Sequence, residues 1–278
     1  MLITIAKTVS RKLYLPLYSI NIQSIKMNCY YVIIRIVHLF FASLQTSVSK
    51  VYLVMKKMLL QKEGITYRQV LSRDWDKAVD FYFNVFLKDE PATQSRGGYS
   101  SRPYGLVDVL YAILQECVCI MAEDSSGTMV GLATNCLFIK GNVQPPKTYL
   151  EYCFTLPSIY SYLCVLSDVL WHPNDMFKKH PKLDRIFYMH SLSVSPDFRQ
   201  RKIAQTLVEL NLKLALKQHC QCVAVVATSD YTRKIMAKKD FETLRIIDAN
   251  NFVDCYHNGR SPIFPGVDSS VHVKMIED

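Results

Sequence analysis

Acidic side chains are missing from the first 57 residues, which nevertheless contain eight lysines and arginines. Removing these eight from the chain's 33 basic residues leaves 25, against 24 acidic residues in 58–278. The net charge of +9 therefore comes almost wholly from the N-terminal part. A nucleic-acid-binding domain needs a clustered basic face, and the near-neutral remainder does not predict one. We expect no nucleic-acid partner.

Metal-ligand spacing is missing as well. The histidines are scattered, and no H-E-x-x-H or H-x-x-x-H pair occurs. Nine cysteines include two C-x-C pairs, Cys117/Cys119 and Cys220/Cys222, whose spacing fits neither a zinc finger nor an easy disulfide within one strand. An odd number of cysteines in a large domain is typical of reduced, buried thiols. We expect no metal and a cytoplasmic location.

Residues 1–57 are predicted to be a basic, apolar extension, and residues 58–278 to be the folded domain. The apolar run 29–48 is nearly long enough to span a bilayer, but Arg35 and His38 interrupt it. A central arginine costs about 2.5–3.5 kcal/mol on insertion scales. Three interpretations stay open: a weak membrane anchor, a targeting segment, or a translation start at Met55 or Met58. Membrane contact is expected only through this extension.

Residues 188–207 contain the most informative pattern. Alternating Leu192 and Val194 predict a strand, Ser195 begins a turn, and apolar residues recurring from Ile203 to Leu207 and beyond predict a helix. The helix start offers unpaired N–H groups and the positive end of its dipole, which together suit a phosphate. The segment contains no glycine, so it is neither a P-loop nor a dinucleotide fingerprint.

A second segment places a carboxylate at a bend. Residues 75–87 form an amphipathic pattern, and Pro91 stops the predicted helix. Glu90 is therefore held in extended geometry next to aromatic surface. A carboxylate in such a place can act as a general base. The alternative is that Asp89 and Glu90 form an ordinary acidic loop.

A third segment places hydroxyl groups where a strand meets a helix. A strand over 222–227 runs into a helix that starts near Ser229, and Thr228 and Thr232 lie four residues apart around this junction. Hydroxyl groups there could take part in chemistry. They could also cap the helix, which is the commoner role of Thr228, Ser229 or Asp230 at such a position.

Together these segments resemble the GNAT superfamily of acetyltransferases. Motif A of that family, Gln/Arg-x-x-Gly-x-Gly/Ala, binds the pyrophosphate of acetyl-CoA and corresponds here to Arg199-Gln-Arg-Lys-Ile-Ala204. Lys202 replaces the central glycine and adds bulk and charge. Lys238-Lys-Asp-Phe241 stands where GNAT chains usually have Leu-Gly-Phe, so Asp240 must close the preceding helix.

The resemblance is closer to the insect-type arylalkylamine N-acetyltransferases. Phe86-Leu-Lys-Asp-Glu-Pro91 is similar to their Phe-x-x-Asp-Glu-Pro, in which the glutamate is the catalytic base. Their strand-to-helix segment Ser-Ser-x-Tyr-Ser corresponds to 228–232, with threonines in place of the two outer serines implicated in catalysis. The resemblance covers roughly residues 65–277.

The resemblance implies an α/β (α+β) GNAT fold: a central, mixed, mostly antiparallel twisted sheet flanked by helices, with strands splayed at the acetyl-CoA site. The pattern predicts strands at 65–70, 118–123, 129–138, 185–194, 222–227, 241–247 and 271–276. It predicts helices at 74–87 and 104–115, and a helix at 149–169 that is broken near Pro157. Two further helices are predicted to begin after Ser195 and after Thr228.

The implied activity is direct acetyl transfer from acetyl-CoA to a small primary amine, most simply an arylalkylamine, by a monomer. The implied catalytic residues are Glu90, Thr228 and Thr232. The implied acetyl-CoA contacts are Leu192, Ser193, Val194, Arg199, Gln200, Arg201, Lys202, Ile203, Ala204, Ser229 and Tyr231. His190 is interpreted as a packed strand residue.

Two alternatives stay open. One is a GNAT enzyme for another amine, such as a polyamine or an amino acid, or for another acyl-CoA. The other is a non-catalytic acyl-CoA-binding protein, which the replacement of motif glycines by Lys202 and Asp240 would suit.

Overall fold

The computed structural model describes residues 58–95, 97–98, 102, 104–116, 118–141, 173–247 and 266–276. The predicted extension 1–57 and the predicted helix 149–169 lie outside these residues. Within them, eight strands form one sheet in the order β1-β2-β3-β4-β5-β6-β8-β7. The strands are β1 Met58–Lys62, β2 Ile65–Gln69, β3 Ile120–Glu123, β4 Met129–Ile139, β5 Arg185–Val194, β6 Cys222–Ala227, β7 Glu242–Ile247 and β8 Ser269–Met275.

Six helices accompany the strands in the same part of the chain. Helix α1 runs from Trp75–Phe81 through a π-helical turn, Tyr82–Phe86, to Leu87–Asp89. The others are α2 Pro91–Ser95, α3 Tyr104–Gln115, α4 Pro173–Lys179, α5 Ile203–Lys217 and α6 Asp230–Lys238. No helix among the described residues is both long enough and apolar enough to cross a membrane.

The predicted fold class is confirmed: the sheet is open, mixed and mostly antiparallel. Every described strand pair is antiparallel except β5 and β6. A parallel pair needs a crossover, and α5 supplies it between these two strands. Strand β1 was not predicted; it pairs with β2 across a tight turn at Glu63 and Gly64, both with positive φ.

Alternation along the strands covers the sheet on both faces. In β3, Ile120 packs toward α5 together with Leu207, whereas Met121 packs on the opposite face with helices α1 and α3. Burying one such side chain stabilises the fold by about 1.5–3 kcal/mol. Both faces of the sheet are therefore packed against helices at β3.

A buried ion cluster fixes the start of α1. The Arg68 guanidinium, on β2, lies 2.6 Å from Asp74 Oδ2 and 2.6 Å from Glu123 Oε1 on β3. All three residues are buried. Removing one partner would leave an uncompensated buried charge, which costs about 3–5 kcal/mol. The cluster therefore holds α1 at a fixed place against the sheet.

Strands β5 and β6 separate partway along their length. They pair only from Ile186–Cys222 to Met189–Val225. Beyond that point β5 continues against β4, and β6 continues against β8. The separation leaves an opening between the two strands, and the end of α1 lies against β5 near this opening.

Candidate active site

The opening between β5 and β6 contains a narrow cavity of about 50 Å³. Its walls come from α1, β5, β6 and α6. The lining residues are Phe86, Met189, His190, Ser191, Leu192, Val225, Val226, Thr228, Thr232 and Met236. A complete small-molecule site usually encloses about 300 Å³ or more. The cavity is therefore sized for the reacting end of a ligand only.

Glu90 lies at the bend between α1 and α2, as predicted from Pro91. Its backbone is extended, at φ −69° and ψ 117°, and the residue is only 4% exposed. Its carboxylate accepts hydrogen bonds from the backbone N–H groups of Ala92 (3.0 Å) and Thr93 (2.5 Å). Glu90 thus caps the short helix α2, which holds the carboxylate in one orientation.

The side chain of Thr228 connects Glu90 to the cavity. Its Oγ1 donates to Glu90 Oε1 at 2.7 Å, across 138 positions of sequence. Thr228 lines the cavity, whereas Glu90 does not. The structure thus brings the two residues together, with the hydroxyl group between the carboxylate and the opening.

The capping role at the start of α6 belongs to Ser229. Its Oγ accepts from the backbone N–H of Thr232 at 3.2 Å. Thr232 Oγ1 lies 3.1 Å from the same Oγ, and Thr232 lines the cavity beside Thr228. Tyr231, in the first turn of α6, is 81% exposed. The two threonines therefore face the opening, while Ser229 is engaged in local structure.

The π-helical turn Tyr82–Phe86 was not predicted; the pattern indicated one regular helix. A π turn is energetically unfavourable and recurs at functional sites. Its last residue, Phe86, lies four positions before Glu90 and lines the cavity. The rings of Tyr82 and Phe86 lie 4.8 Å apart. The turn therefore supplies an aromatic wall to the opening.

The basic loop before α5 contains two non-glycine residues in the left-handed region. Gln200 has φ 64° and Lys202 has φ 59°. The backbone thus needs at Lys202 the conformation that favours the motif glycine, and a lysine there costs about 1 kcal/mol. Lys202 is the N-cap of α5, and no side chain caps that helix. Its first-turn N–H groups are therefore suited to an anion.

The two arginines of this loop point in different directions. Arg199 forms an ion pair with Asp89, next to Glu90, and also donates to the Val194 carbonyl at 3.3 Å. Arg201 donates to the Glu63 carbonyl at 3.2 Å and lies over the Phe198 ring. Both guanidinium groups are exposed, so a phosphate could replace these surface contacts at low cost.

The predicted acetyl-CoA contacts on β5 lie directly before this loop. Leu192, Ser193 and Val194 pair with β4, and Val194 faces Gly131. A Cβ added at Gly131 would lie 3.1 Å from the Ile203 side chain. The glycine therefore lets the start of α5, with Ile203 and Ala204, approach the sheet closely. The predicted residues of motif A thus form one continuous strand–loop–helix segment beside the opening.

His190 has a larger part in the site than its interpretation as a packed strand residue indicated. It lines the cavity, stacks on Tyr82 at 6.1 Å, and places Nδ1 3.1 Å from Thr134 Oγ1. Burial lowers the pKa of His190 from 6.5 to about 4. The ring is therefore neutral near pH 7. A polar residue within an otherwise apolar stretch of strand was the available signal in the sequence.

Several solved structures share this fold, although neither the protein-family models nor the curated proteins give a match. Arylalkylamine N-acetyltransferase 2 from Aedes aegypti superposes with a TM-score of 0.67 and 23% identity, over 77% of this chain and 100% of that one. An agmatine N-acetyltransferase in its apo form superposes with a TM-score of 0.66 and 16% identity, over 77% of this chain and 100% of that one. The polyamine N-acetyltransferase of Drosophila melanogaster, which forms N-acetylagmatine, superposes with a TM-score of 0.63 and 17% identity, over 76% of this chain and 100% of that one. The chain therefore has the fold of the GNAT N-acetyltransferases.

Proposed function

We propose that this protein is an acetyl-CoA-dependent N-acetyltransferase of small primary amines, with arylalkylamines as its substrate class. One observation carries the proposal: the hydrogen bond from Thr228 to the buried carboxylate of Glu90, at the opening between β5 and β6. It joins a carboxylate and a hydroxyl group from distant parts of the chain where β5 and β6 separate. The GNAT fold of the similar structures supports the same assignment.

The residues beside the opening suit acetyl-CoA as the acyl donor. The uncapped start of α5 and the exposed Arg199, Arg201 and Lys202 offer N–H groups and positive charge to a pyrophosphate. Backbone groups of Leu192 and Val194 are assigned to the pantetheine arm. This placement would direct the thioester toward the cavity.

The chemical step requires loss of two protons from the ammonium form of the amine, one before attack and one after it. A primary amine is mostly protonated at neutral pH, and only the neutral form has a lone pair for attack. We assign Glu90 as the base, which takes the proton through the Thr228 hydroxyl group or through a water beside it. The amine nitrogen then bonds to the thioester carbon and the C–S bond breaks. The nitrogen loses its second proton, which Thr232 or solvent passes to the departing thiolate, so that an amide and a free thiol are formed. Proximity supplies much of the remaining rate.

The cavity favours an aromatic amine over a polyamine. Its lining residues include Phe86, His190 and several aliphatic side chains, and none of these ten residues is acidic. Agmatine and polyamines have a second cationic group, which would lack a counter-ion at this wall, and an unpaired buried charge is costly. An arylalkylamine has no second cationic group that would need such a partner.

An amine panel tests this assignment. Full-length protein with acetyl-CoA should release free thiol with tryptamine, serotonin, dopamine or octopamine. The kcat/KM for the best of these should exceed that for agmatine and spermidine by about tenfold or more, as expected for a cation left without a partner. A preference for spermidine or agmatine would contradict the substrate class. Calorimetric binding of acetyl-CoA without thiol release from any amine would indicate a non-catalytic binding protein.

A further inference from the structure

His190 is placed in the cavity by an irregularity of β5. On β4, Thr134 pairs with Ser191 and its neighbour Asn135 pairs with Met189, so His190 has no partner across the ladder. Such a bulge redirects side chains and is common next to active sites. Here it places the imidazole in the same cavity as Thr228.

Three contacts fix the orientation of the ring. Tyr82, from the π turn of α1, stacks on it with an interplanar angle of 24°, and Tyr188 meets it edge-on at 6.4 Å. Thr134 Oγ1 lies 3.1 Å from Nδ1 and 2.6 Å from Ser191 Oγ. Within the described residues Nε2 has no hydrogen-bond partner. A partly buried ring nitrogen without a partner is suited to bind a ligand atom.

Among the described residues, those that line the cavity or contact the ring are uncharged. Helix α1 contributes Tyr82 and Phe86, and β4 contributes Thr134. The segment from the end of β6 to the first turn of α6 contributes Thr228 and Thr232. Among the described residues, Glu90 is the carboxylate that is hydrogen-bonded to this wall, through the Thr228 hydroxyl group. Burial alone accounts for the lowered pKa of His190. The imidazole therefore offers one neutral acceptor and no positive charge to the cavity.

We propose that His190 contacts the amine of the substrate and determines its orientation for attack, an inference that rests on the proposed acetyltransferase function. In this arrangement Nδ1–H donates to Thr134, and Nε2 accepts one N–H of the amine. A primary ammonium has three N–H groups. One proton leaves toward Glu90, a second N–H is held by His190, and the lone pair that forms is thereby directed at the thioester. His190 then acts as a specificity-determining residue on the part of the cavity wall that β5 forms.

Substitutions at His190 that distinguish the effect of the aromatic stack from the effect of the hydrogen-bond acceptor test the proposal. His190→Phe keeps the aromatic stack but removes the acceptor, and should lower kcat/KM for the best arylalkylamine by roughly 10-fold to 100-fold, the range for one hydrogen bond to a charged group. The KM for acetyl-CoA should stay within twofold. His190→Gln returns an acceptor and should recover much of the loss. Thr134→Val leaves the ring in place but removes the hydroxyl group that holds Nδ1, and should also raise the amine KM.

A matched control is His219→Asn, because His219 is exposed at the end of α5 and has a left-handed conformation that asparagine tolerates. It should leave both KM values unchanged. Thermal unfolding of each variant checks the fold, and tryptamine binding in the presence of CoA is measured beside turnover. If the wild type acetylates amines but His190→Phe binds and turns over tryptamine normally, the inference is wrong and the proposed function stands. If the wild type neither binds nor acetylates any amine of the panel, both are wrong.

Discussion

Replacing Glu90 with glutamine should lower kcat/KM for an arylalkylamine by roughly 10²-fold to 10⁴-fold, the usual contribution of general acid–base catalysis. Glutamine keeps the size of the side chain but cannot take a proton from the amine. Acetyl-CoA affinity should barely change, because Glu90 belongs to the bend after α1 and not to the basic loop. Steady-state kinetics and calorimetry of the same preparation measure both effects.

The structure adds a stability effect to this substitution. Each carboxylate oxygen of Glu90 accepts a backbone N–H, from Ala92 or from Thr93, so the glutamine amide must turn its NH₂ toward one of these donors. Loss of such a cap costs about 1 kcal/mol. Rates should therefore be compared well below the unfolding temperature of the variant.

Two companion variants separate the base from its surroundings. Thr228→Val removes one of three hydrogen bonds to the Glu90 carboxylate and should cost less than Glu90→Gln, since a water beside the side chain can still carry the proton to Glu90. Asp76→Asn removes a carboxylate elsewhere on α1, where it bonds Tyr111 on the exposed side, and should leave kcat/KM unchanged. If Glu90→Gln retained wild-type kcat/KM, the base would be misassigned, and Asp89 would be the next candidate.

Reversing the charge of Arg199 and Arg201 together should weaken acetyl-CoA binding by roughly 10-fold to 100-fold, since each removes a charge-assisted contact to phosphate and adds repulsion. The effect should shrink at high salt, because both side chains are exposed. Titration calorimetry of Arg199→Glu/Arg201→Glu at two ionic strengths measures it. Unchanged affinity would place the pyrophosphate elsewhere.

Lys202→Gly is the matched control in the same loop. It removes one positive charge but relieves a left-handed lysine at φ 59°. We expect affinity to be kept or improved, with a gain of up to about 1 kcal/mol in folding stability. Loss of affinity in this variant as large as in the double reversal would show that Lys202 itself carries the binding.

The parts of the fold that the sequence predicted well are those with a clear period. Residues of β5, α5 and β6 follow one another as expected, because apolar residues alternate in the strands and recur on one face of the helix. Strand β1 was missed because Met58–Lys62 is short and its exposed residues show no alternation. Its partner β2 has the buried side chains that made it recognisable.

The sequence indicated candidate residues for the site but not their geometry. A bend at Pro91 indicated Glu90, and a strand–helix junction indicated Thr228, but nothing in either segment indicates that they meet across 138 positions. The bulge at His190 was invisible because a period of two gives no sign of an extra residue. The left-handed closure of α6 by Asp240, at φ 57°, was expected from the missing glycine and is confirmed.

The partly buried imidazole of His190 also makes the stability of the fold depend on pH. Its pKa is about 4 in the folded chain against 6.5 in an unfolded one. Above pH 6.5 neither state binds this proton, and the neutral ring costs nothing. Between pH 6.5 and 4 the unfolded chain takes up the proton more readily than the folded chain. The free energy of unfolding therefore decreases as the pH is lowered, by about 2 kcal/mol at pH 5 and about 3 kcal/mol below pH 4. The His190 ring, which is neutral at neutral pH, thus makes the folded state less stable in acid.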